Sequence, residues 1–468
     1  MSESADFLVQ ALYRGRVYPP MCHPSADPSL LAVAARLGGL RVGEPRLGRV
    51  LEIGSAGGHH LIPLAMRWPD CRLVGIELAA DAVGEARRRA RAAGVGNVEF
   101  VAADVREEGV VTGEFDFIIA HGFLSWVPEE VQGAMFRMIR RHLAPNGVAV
   151  VSYNLLPGWS VRLEMVEEVR RIREVEGGDE WGILQRMAEA GDVGVERLGI
   201  LRDMLAKGPD ILAFDEFGPV NDPWTFERFL QVADAHGLHY LGESEPGENV
   251  PGDLDEEGRG VLAELAGNPL GMQVAADVLS GRTFRSSLVC RKEAVRESGV
   301  SARVALDFFY RPGKAVPESG AWICRELERV LAGGRGLAMS FEELAGGLPG
   351  MARGELARGV IEGISRGWIR ARVDAGVYDP EVPERPRLDG FRRVCAEEGI
   401  PLVDAWLVPC SFPAGHYEVL ARMDGTRGVD ELARFARERC PELHFRPWLE
   451  HWARRGMFGG GDAERVRC

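Results

Sequence analysis

The stretch 50–77, V-L-E-I-G-S-A-G-G-H-H-L-I-P-L-A-M-R-W-P-D-C-R-L-V-G-I-E, constrains the fold more than any other part of the chain. An apolar run over 50–53 ends at Gly54-Ser55-Ala56-Gly57-Gly58. Leu61, Leu64 and Ala65 then fall at helix spacing, and a second apolar run over 73–76 closes on Glu77. The order is strand, glycine-rich turn, helix, strand, carboxylate. Small residues let backbone N–H groups approach a ligand, and an acid at a strand end can accept from two ribose hydroxyls. The stretch therefore reads as the ligand-binding half of a doubly wound α/β sheet.

The rest of the sheet follows in register. Residues 98–102 predict a third strand with Asp104 just beyond it. Residues 115–120 predict a fourth, leading into His121-Gly122-Phe123-Leu124-Ser125-Trp126. Residues 129–143 carry a helical period, and Pro145-Asn146-Gly147 predicts a turn into a fifth strand over 148–153. Helix-period segments over 161–175, 181–190, 195–205 and 224–236 precede two strand-like pieces, 238–244 and 284–291. Those pieces complete a seven-stranded sheet. The helices between the fifth and sixth strands are an insertion over the carboxyl edge of the sheet, where ligands bind in open α/β folds.

Four regions are expected. Residues 1–48 form an N-terminal lid or packing arm, with Tyr13, Tyr18, Pro19, Pro20, His23 and Pro24 clustered in it. Residues 49–292 form the sheet domain, with its helical insertion over about 160–236. In 293–385, helices over 321–331, 341–345 and 353–366 and an alternating strand over 368–373 predict a winged-helix-like module, and Ser340 with Glu343 reads as a capping box. Residues 386–468 form a mainly helical region after a proline-rich linker at 380–386.

Composition limits the function classes. The eight cysteines are scattered with no C-x-x-C pair, which argues against a zinc site or a disulfide framework. No metal is expected. There is no apolar run of about eighteen residues, which argues against a membrane span, and no basic-then-apolar leader, so a cytoplasmic location is expected. A net charge of −14 disfavours a partner held by its phosphate backbone. Only three of the basic residues are lysines: Lys207, Lys292 and Lys314.

The spacing Glu52-x-Gly54-x-Ala56-x-Gly58 departs from the dinucleotide fingerprint and resembles motif I of class I S-adenosylmethionine (SAM) methyltransferases. Further phrases are similar to bacterial methyltransferases that carry a methyltransferase regulatory domain, a group that includes protein lysine methyltransferases. They are I-I-A-H-G-F-L-S-W-V-P at 118–128, H-L-A-P-N-G-V-A-V-V-S-Y-N-L-L-P-G-W at 142–159, P-V-N-D-P at 219–223, H-G-L-H-Y-L-G-E at 236–243 and F-R-S-S-L-V-C-R at 284–291. The resemblance covers about residues 15 to 300. It implies a class I, Rossmann-like α/β methyltransferase fold with SAM as cofactor. In that reading Glu52 holds the methionine amino group, Gly54, Ser55, Ala56 and Gly58 form the floor, and Glu77 clamps the ribose. Asp104 contacts the adenine amine, with Leu78 and Val105 beside these acids. Tyr153 and Asn154 orient the nucleophile, Trp126 and Trp159 wall its channel, and His121 lines the sulfonium side or relays a proton. His59 and His60 stand where the family usually has Gly-Asn, and packing at a helix start is their expected role.

The expected acceptor is a lysine of a protein or peptide. A natural-product or modified-peptide methyltransferase is the alternative. A second alternative, from another class, is a SAM-binding regulator whose winged-helix-like module contacts DNA through Arg353, Arg358, Arg366, Arg370 and Arg372. Glu355 and Glu362 interrupt that basic face, which favours a solvated helix surface. The exposed helical modules leave a homodimer open.

Overall fold

The computed structural model describes residues 2–13, 16–191, 194–249, 254, 256–297, 301–318, 320–334, 338–376 and 378–458. Its centre is one mixed sheet of seven strands: β1 (Arg49–Ile53), β2 (Arg72–Glu77), β3 (Val98–Ala102), β4 (Phe115–Ala120), β5 (Leu143–Asn154), β6 (Leu238–Glu243) and β7 (Phe284–Arg291). The spatial order is β3-β2-β1-β4-β5-β7-β6. The first five strands are parallel, and β7 runs antiparallel between β5 and β6. This is the class I methyltransferase arrangement that the resemblance implies. The order reverses at β1 and β4, so their carboxyl ends flank the crevice where a ligand binds.

The apolar runs form these strands because both faces of the sheet are covered. Val50, Phe117, Ile119, Val148 and Val150 bury on one face with the helix Pro28–Leu37. Leu51, Ile118, Val151 and Tyr153 bury on the other with the helix Glu129–His142. The expected turn at Pro145-Asn146-Gly147 is instead part of β5, which begins at Leu143. The extra length is taken up by a register shift against β4 between Phe115 and Phe117.

Helices Ser160–Glu176, Glu180–Ala190, Val195–Lys207 and Pro209–Phe214 form the insertion, with a small core of their own. The sixth and seventh strands are fixed by fully buried Arg285. Its guanidinium donates to Glu243 at 2.7 Å and to Asp277 at 2.8–3.0 Å.

Residues 301–376 build the expected three helices and strand: Trp322–Gly333, Phe341–Gly347, Arg353–Ser365 and β10 (Ile369–Arg372). Two short strands that the sequence did not signal, β8 (Phe309–Pro312) and β9 (Met339–Ser340), make an antiparallel sheet in the order β10-β8-β9. The Ser340–Glu343 capping box is formed. Among the arginines considered for DNA contact, Arg372 is buried and Arg353 is taken up by Glu342 at 2.7 Å. Helices Gly390–Glu398, Ala414–Ala421, Val429–Arg439 and Phe445–Arg454 make the C-terminal module. The last ten residues of the tail lie outside the described residues.

These C-terminal modules are not appended loosely. Their apolar side chains are continuous with the core of the first sheet face. At the junction sits Asp27, which is 1% exposed and caps the helix Pro28–Leu37 through the Ser29 N–H. The same carboxylate takes Arg67 at 2.9 Å and Arg372 from β10. Arg67 and Arg372 both also donate to the Ala405 carbonyl at 2.9 Å. Burial alone would raise the Asp27 carboxyl, but the two guanidinium groups overcome that and hold it well below the usual carboxylate range.

The seven described cysteines are free and buried. Among the described residues no helix is long and apolar enough to cross a membrane, and no group of three or more His, Cys, Asp or Glu side chains is placed to hold a metal.

Candidate active site

The glycine-rich turn leaves β1 in a conformation that explains its composition. Gly54 and Gly58 have φ of 79° and 78°, and Ala56 is itself left-handed at 42°. A Cβ on Gly58 would stand 2.8 Å from Phe100 Cζ and 3.0 Å from Ala86 Cβ. Gly58 is therefore a packing glycine that seats the loop on the sheet, and it does not itself line the cavity above. Glu77 fixes the loop from the next strand. Its Oε2 accepts from the Ala56 N–H at 3.0 Å and its Oε1 from the Ala79 N–H at 2.9 Å.

Above this loop a cavity runs from Glu77 and Asp104 past Glu52 and His121 to Trp126, and is closed by Tyr13, Tyr18 and Asp215. Glu52, Gly54, Ser55, Ala56, Glu77, Leu78, Asp104, Val105, His121 and Trp126 all line it, as the sequence predicted for a shared site. Two buried polar atoms there, Glu52 Oε2 and His121 Nδ1, have no hydrogen-bond partner among the described residues. Buried polar groups are normally satisfied, so this set marks a wall built for a polar ligand. Its chemistry fits an amino acid moiety, with an acid for an ammonium and neutral rings beside it.

Electrostatics sharpen the assignment. Burial, with the nearby charge of Glu77, pushes the Glu52 carboxyl up to about 8. Burial also holds His60 down at about 4 and His121 at about 3, the latter with help from His60. His121 stacks on His23 of the arm at 3.9 Å. A neutral ring of this kind suits the lining of a cationic group. It does not suit the proton relay considered for His121, because it takes up a proton only in strong acid.

Asp104 lines the cavity, but its carboxylate is held by Arg106 at 2.6–3.1 Å, and Arg106 reaches on to Asp6 of the arm. The arm thus covers this end, with Tyr13 and Tyr18 among the lining residues.

Three expected residues lie elsewhere. Tyr153 is 1% exposed, stacks on Phe229 at 4.7 Å and faces the core of the opposite sheet surface. It is a packing residue, because strand alternation puts it on the face of Val151. Asn154 is buried and does not line the cavity: its backbone N–H donates to Ser125 Oγ at 2.9 Å, and its side-chain Nδ2 has no hydrogen-bond partner among the described residues. Trp159 stands behind Trp126 at 6.3 Å, its indole N–H donating to Asn221 Oδ1 at 3.1 Å. It backs the channel wall and does not line it. Conversely, His23, Arg106, Phe214 and Asp215 line the cavity although nothing in the sequence singled them out for this role. Only His23 carried a signal, as part of the Tyr/Pro/His cluster in the arm.

His59 and His60 leave the loop in different directions. His60 Nδ1 faces Cys22 Sγ and the His23 N–H of the arm, each at 3.4 Å. His59 Nε2 bonds the Pro401 carbonyl of the C-terminal module at 2.9 Å and its ring packs on Phe391.

Residues 50–147 match the family model described as methyltransferase domain, and residues 208–291 that described as predicted methyltransferase regulatory domain. The chain carries a methyltransferase domain. The regulatory-domain match begins in the last insertion helix and ends in β7, so this segment supplies both a cavity wall, at Phe214 and Asp215, and the two antiparallel strands. The fold of the whole chain resembles that of PKMT2 from Rickettsia typhi, also solved in complex with AdoHcy. The TM-score is 0.78 at 20% identity, covering 95% of this chain and 100% of that one. An uncharacterized protein of Rickettsia prowazekii is 29% identical over 57% of this chain and 50% of its own length. One of Synechocystis is 24% identical over 57% of this chain and 55% of its own. The chain thus spans about half the length of the curated relatives it matches.

Proposed function

We propose that the chain transfers a methyl group from SAM to a nitrogen of a protein side chain, a lysine ε-amine. The observation that carries the reading is one continuous cavity. Its lining joins the acids Glu52 and Glu77 to the aromatic rings of Tyr13, Tyr18, Trp126 and Phe214, the charge of Glu77 reaching Tyr13. The sequence resemblance to protein lysine methyltransferases and the likeness in fold to PKMT2 from Rickettsia typhi support it. A cavity lined in this way receives a slender aliphatic chain with a polar end. Desolvation there lowers an amine's pKa and frees its lone pair, and aromatic faces tolerate a methylated cation.

SAM supplies an electrophilic methyl group on sulfur. The chain's own residues contribute positioning and exclusion of water. Glu52 meets the α-ammonium of the methionine part, Glu77 accepts from the ribose, and neutral His60 and His121 line the space between Glu52 and Trp126.

The Glu52 assignment has a pH signature. Its carboxyl is largely protonated at neutral pH in the free chain, and an ammonium partner favours the ionised form. Cofactor binding is therefore expected to release a proton from Glu52, and affinity is expected to rise with pH up to about 8 and then level off. Calorimetry of S-adenosylhomocysteine binding in buffers of different ionisation enthalpy measures that proton. No release at pH 7 removes Glu52 from the amino-group site.

The function itself is tested by following a labelled methyl group. The purified chain is incubated with methyl-labelled SAM and extract from its own source. Label in a discrete, base-stable protein band is the expected result. Label confined to small molecules overturns the protein-acceptor reading and favours a biosynthetic substrate.

A further inference from the structure

Asp215 stands at the cavity mouth, on the segment after the helix Pro209–Phe214. It is 9% exposed and has aromatic neighbours. Tyr18 donates its hydroxyl to Asp215 Oδ1 at 3.0 Å, and the ring of Phe214 lies 5.2 Å from Tyr13 and 5.3 Å from Tyr18. Of the other carboxylates lining the cavity, Asp6 and Asp104 are held by Arg106, and Glu52 and Glu77 belong to the cofactor assignment, the charge of Glu77 also reaching Tyr13. The cofactor assignment does not use Asp215, whose Oδ1 accepts from Tyr18 and whose Oδ2 is met by Lys207.

Which cation it prefers is visible within the chain. Lys207 Nζ lies 3.4 Å from Asp215 Oδ2 and 2.7 Å from Glu216 Oε1, and it sits 5.9 Å over the ring of Trp159. This contact comes from behind the wall, since Lys207 does not line the cavity. Asp215 is therefore flanked on its protein side by a primary ammonium seated against an aromatic ring. Its cavity side offers the same combination of carboxylate and aromatic faces to a ligand.

We propose that Asp215, walled by Tyr13, Tyr18 and Phe214, is the docking subsite for the acceptor's primary ammonium group. This subsite selects a lysine-like cation over the carboxylate or neutral hydroxyl acceptors that the same fold accommodates. The inference rests on the amine-acceptor reading above and names the residue that enforces it. Asp215 is a specificity residue that holds the incoming ammonium; before methyl transfer that ammonium gives up one proton, to the Asp215 carboxylate or to solvent, which frees the lone pair that attacks the methyl group.

The test uses the full chain saturated with S-adenosylhomocysteine and two probes, Nα-acetyl-lysine N-methylamide and its uncharged norleucine counterpart. Calorimetry is expected to show the lysine probe binding tenfold or more tighter than the norleucine probe, on the order of one charged hydrogen-bonded contact. Asp215→Asn is expected to erase that preference while leaving S-adenosylhomocysteine affinity unchanged, and Asp215→Glu to restore most of it.

The wild-type chain gives an independent readout if the Asn variant fails to fold. Burial pushes the Asp215 carboxyl up to about 6 against the opposing charge of Lys207. The preference is therefore expected to fade as pH drops through about 6. The titratable groups facing Asp215 are Lys207, Glu216, Tyr13 and Tyr18. Burial keeps both tyrosines neutral there, and Glu216 is bonded to Arg162 and Lys207. A preference that survives in Asp215→Asn, that does not change between pH 5 and 8, or that is absent from the wild type overturns the assignment and leaves the cofactor reading intact. Failure of S-adenosylhomocysteine to bind overturns the methyltransferase reading itself.

Discussion

Asp27→Ala is expected to destabilise the chain by about 3–5 kcal/mol, the range for removing one partner of a buried ion pair. Two guanidinium groups, Arg67 and Arg372, would be left facing each other, the second only 2% exposed at its side chain. The helix Pro28–Leu37 would also lose its cap, worth about 1 kcal/mol. The urea midpoint measures the effect, and a loss under about 1 kcal/mol would show that the junction is held by apolar packing alone. The sign with pH follows from the depressed folded-state carboxyl. Its contribution is complete above the unfolded value, about 4, and is lost as pH falls toward the lower folded value. Wild type and variant should therefore converge in stability in strong acid and differ fully at neutral pH.

Glu77→Ala is expected to weaken cofactor binding tenfold or more, through the loss of charge-assisted hydrogen bonds to the ribose. The structure adds a second reason for a large effect. Both carboxylate oxygens hold backbone amides, those of Ala56 and Ala79, so the substitution also releases the left-handed loop residue on which the site floor depends. Glu77→Gln keeps the size and part of the bonding, and should lose less. Calorimetry with S-adenosylhomocysteine distinguishes the cases, and unchanged affinity in Glu77→Ala would mean that the ribose lies elsewhere.

The cofactor end was readable in the sequence because its parts are local. Glycines at 54 and 58 mark a left-handed turn, and acids at 52, 77 and 104 close or follow short apolar runs, so each signal sits within a few residues of its neighbour. The acceptor end is assembled differently. The Tyr18–Asp215 bond joins residues 197 apart in sequence, and no periodicity encodes it. Tyr153 illustrates a legible signal that was outweighed. Its period-two partners, Ala149 and Val151, are core residues, and that parity places Tyr153 with them, whereas its motif neighbours pointed to the nucleophile. The two-residue strand β9 is too short to leave an alternating pattern, and Phe309-Tyr310-Arg311-Pro312 of β8 does not show one. They form because Tyr310 and Phe341 bury them against the helices of their module.

The divergent pair His59 and His60 bears on how such a chain can be rearranged by recombination. One ring is bonded to the leading arm and the next to the trailing module, so both ends of the polypeptide are read at a single turn. A break after residue 292 would strip Pro401 from His59, Glu398 from Arg89 and Arg372 from Asp27 together. A trailing module exchanged into this chain must therefore bring a backbone carbonyl to His59 from 342 residues downstream, as Pro401 does.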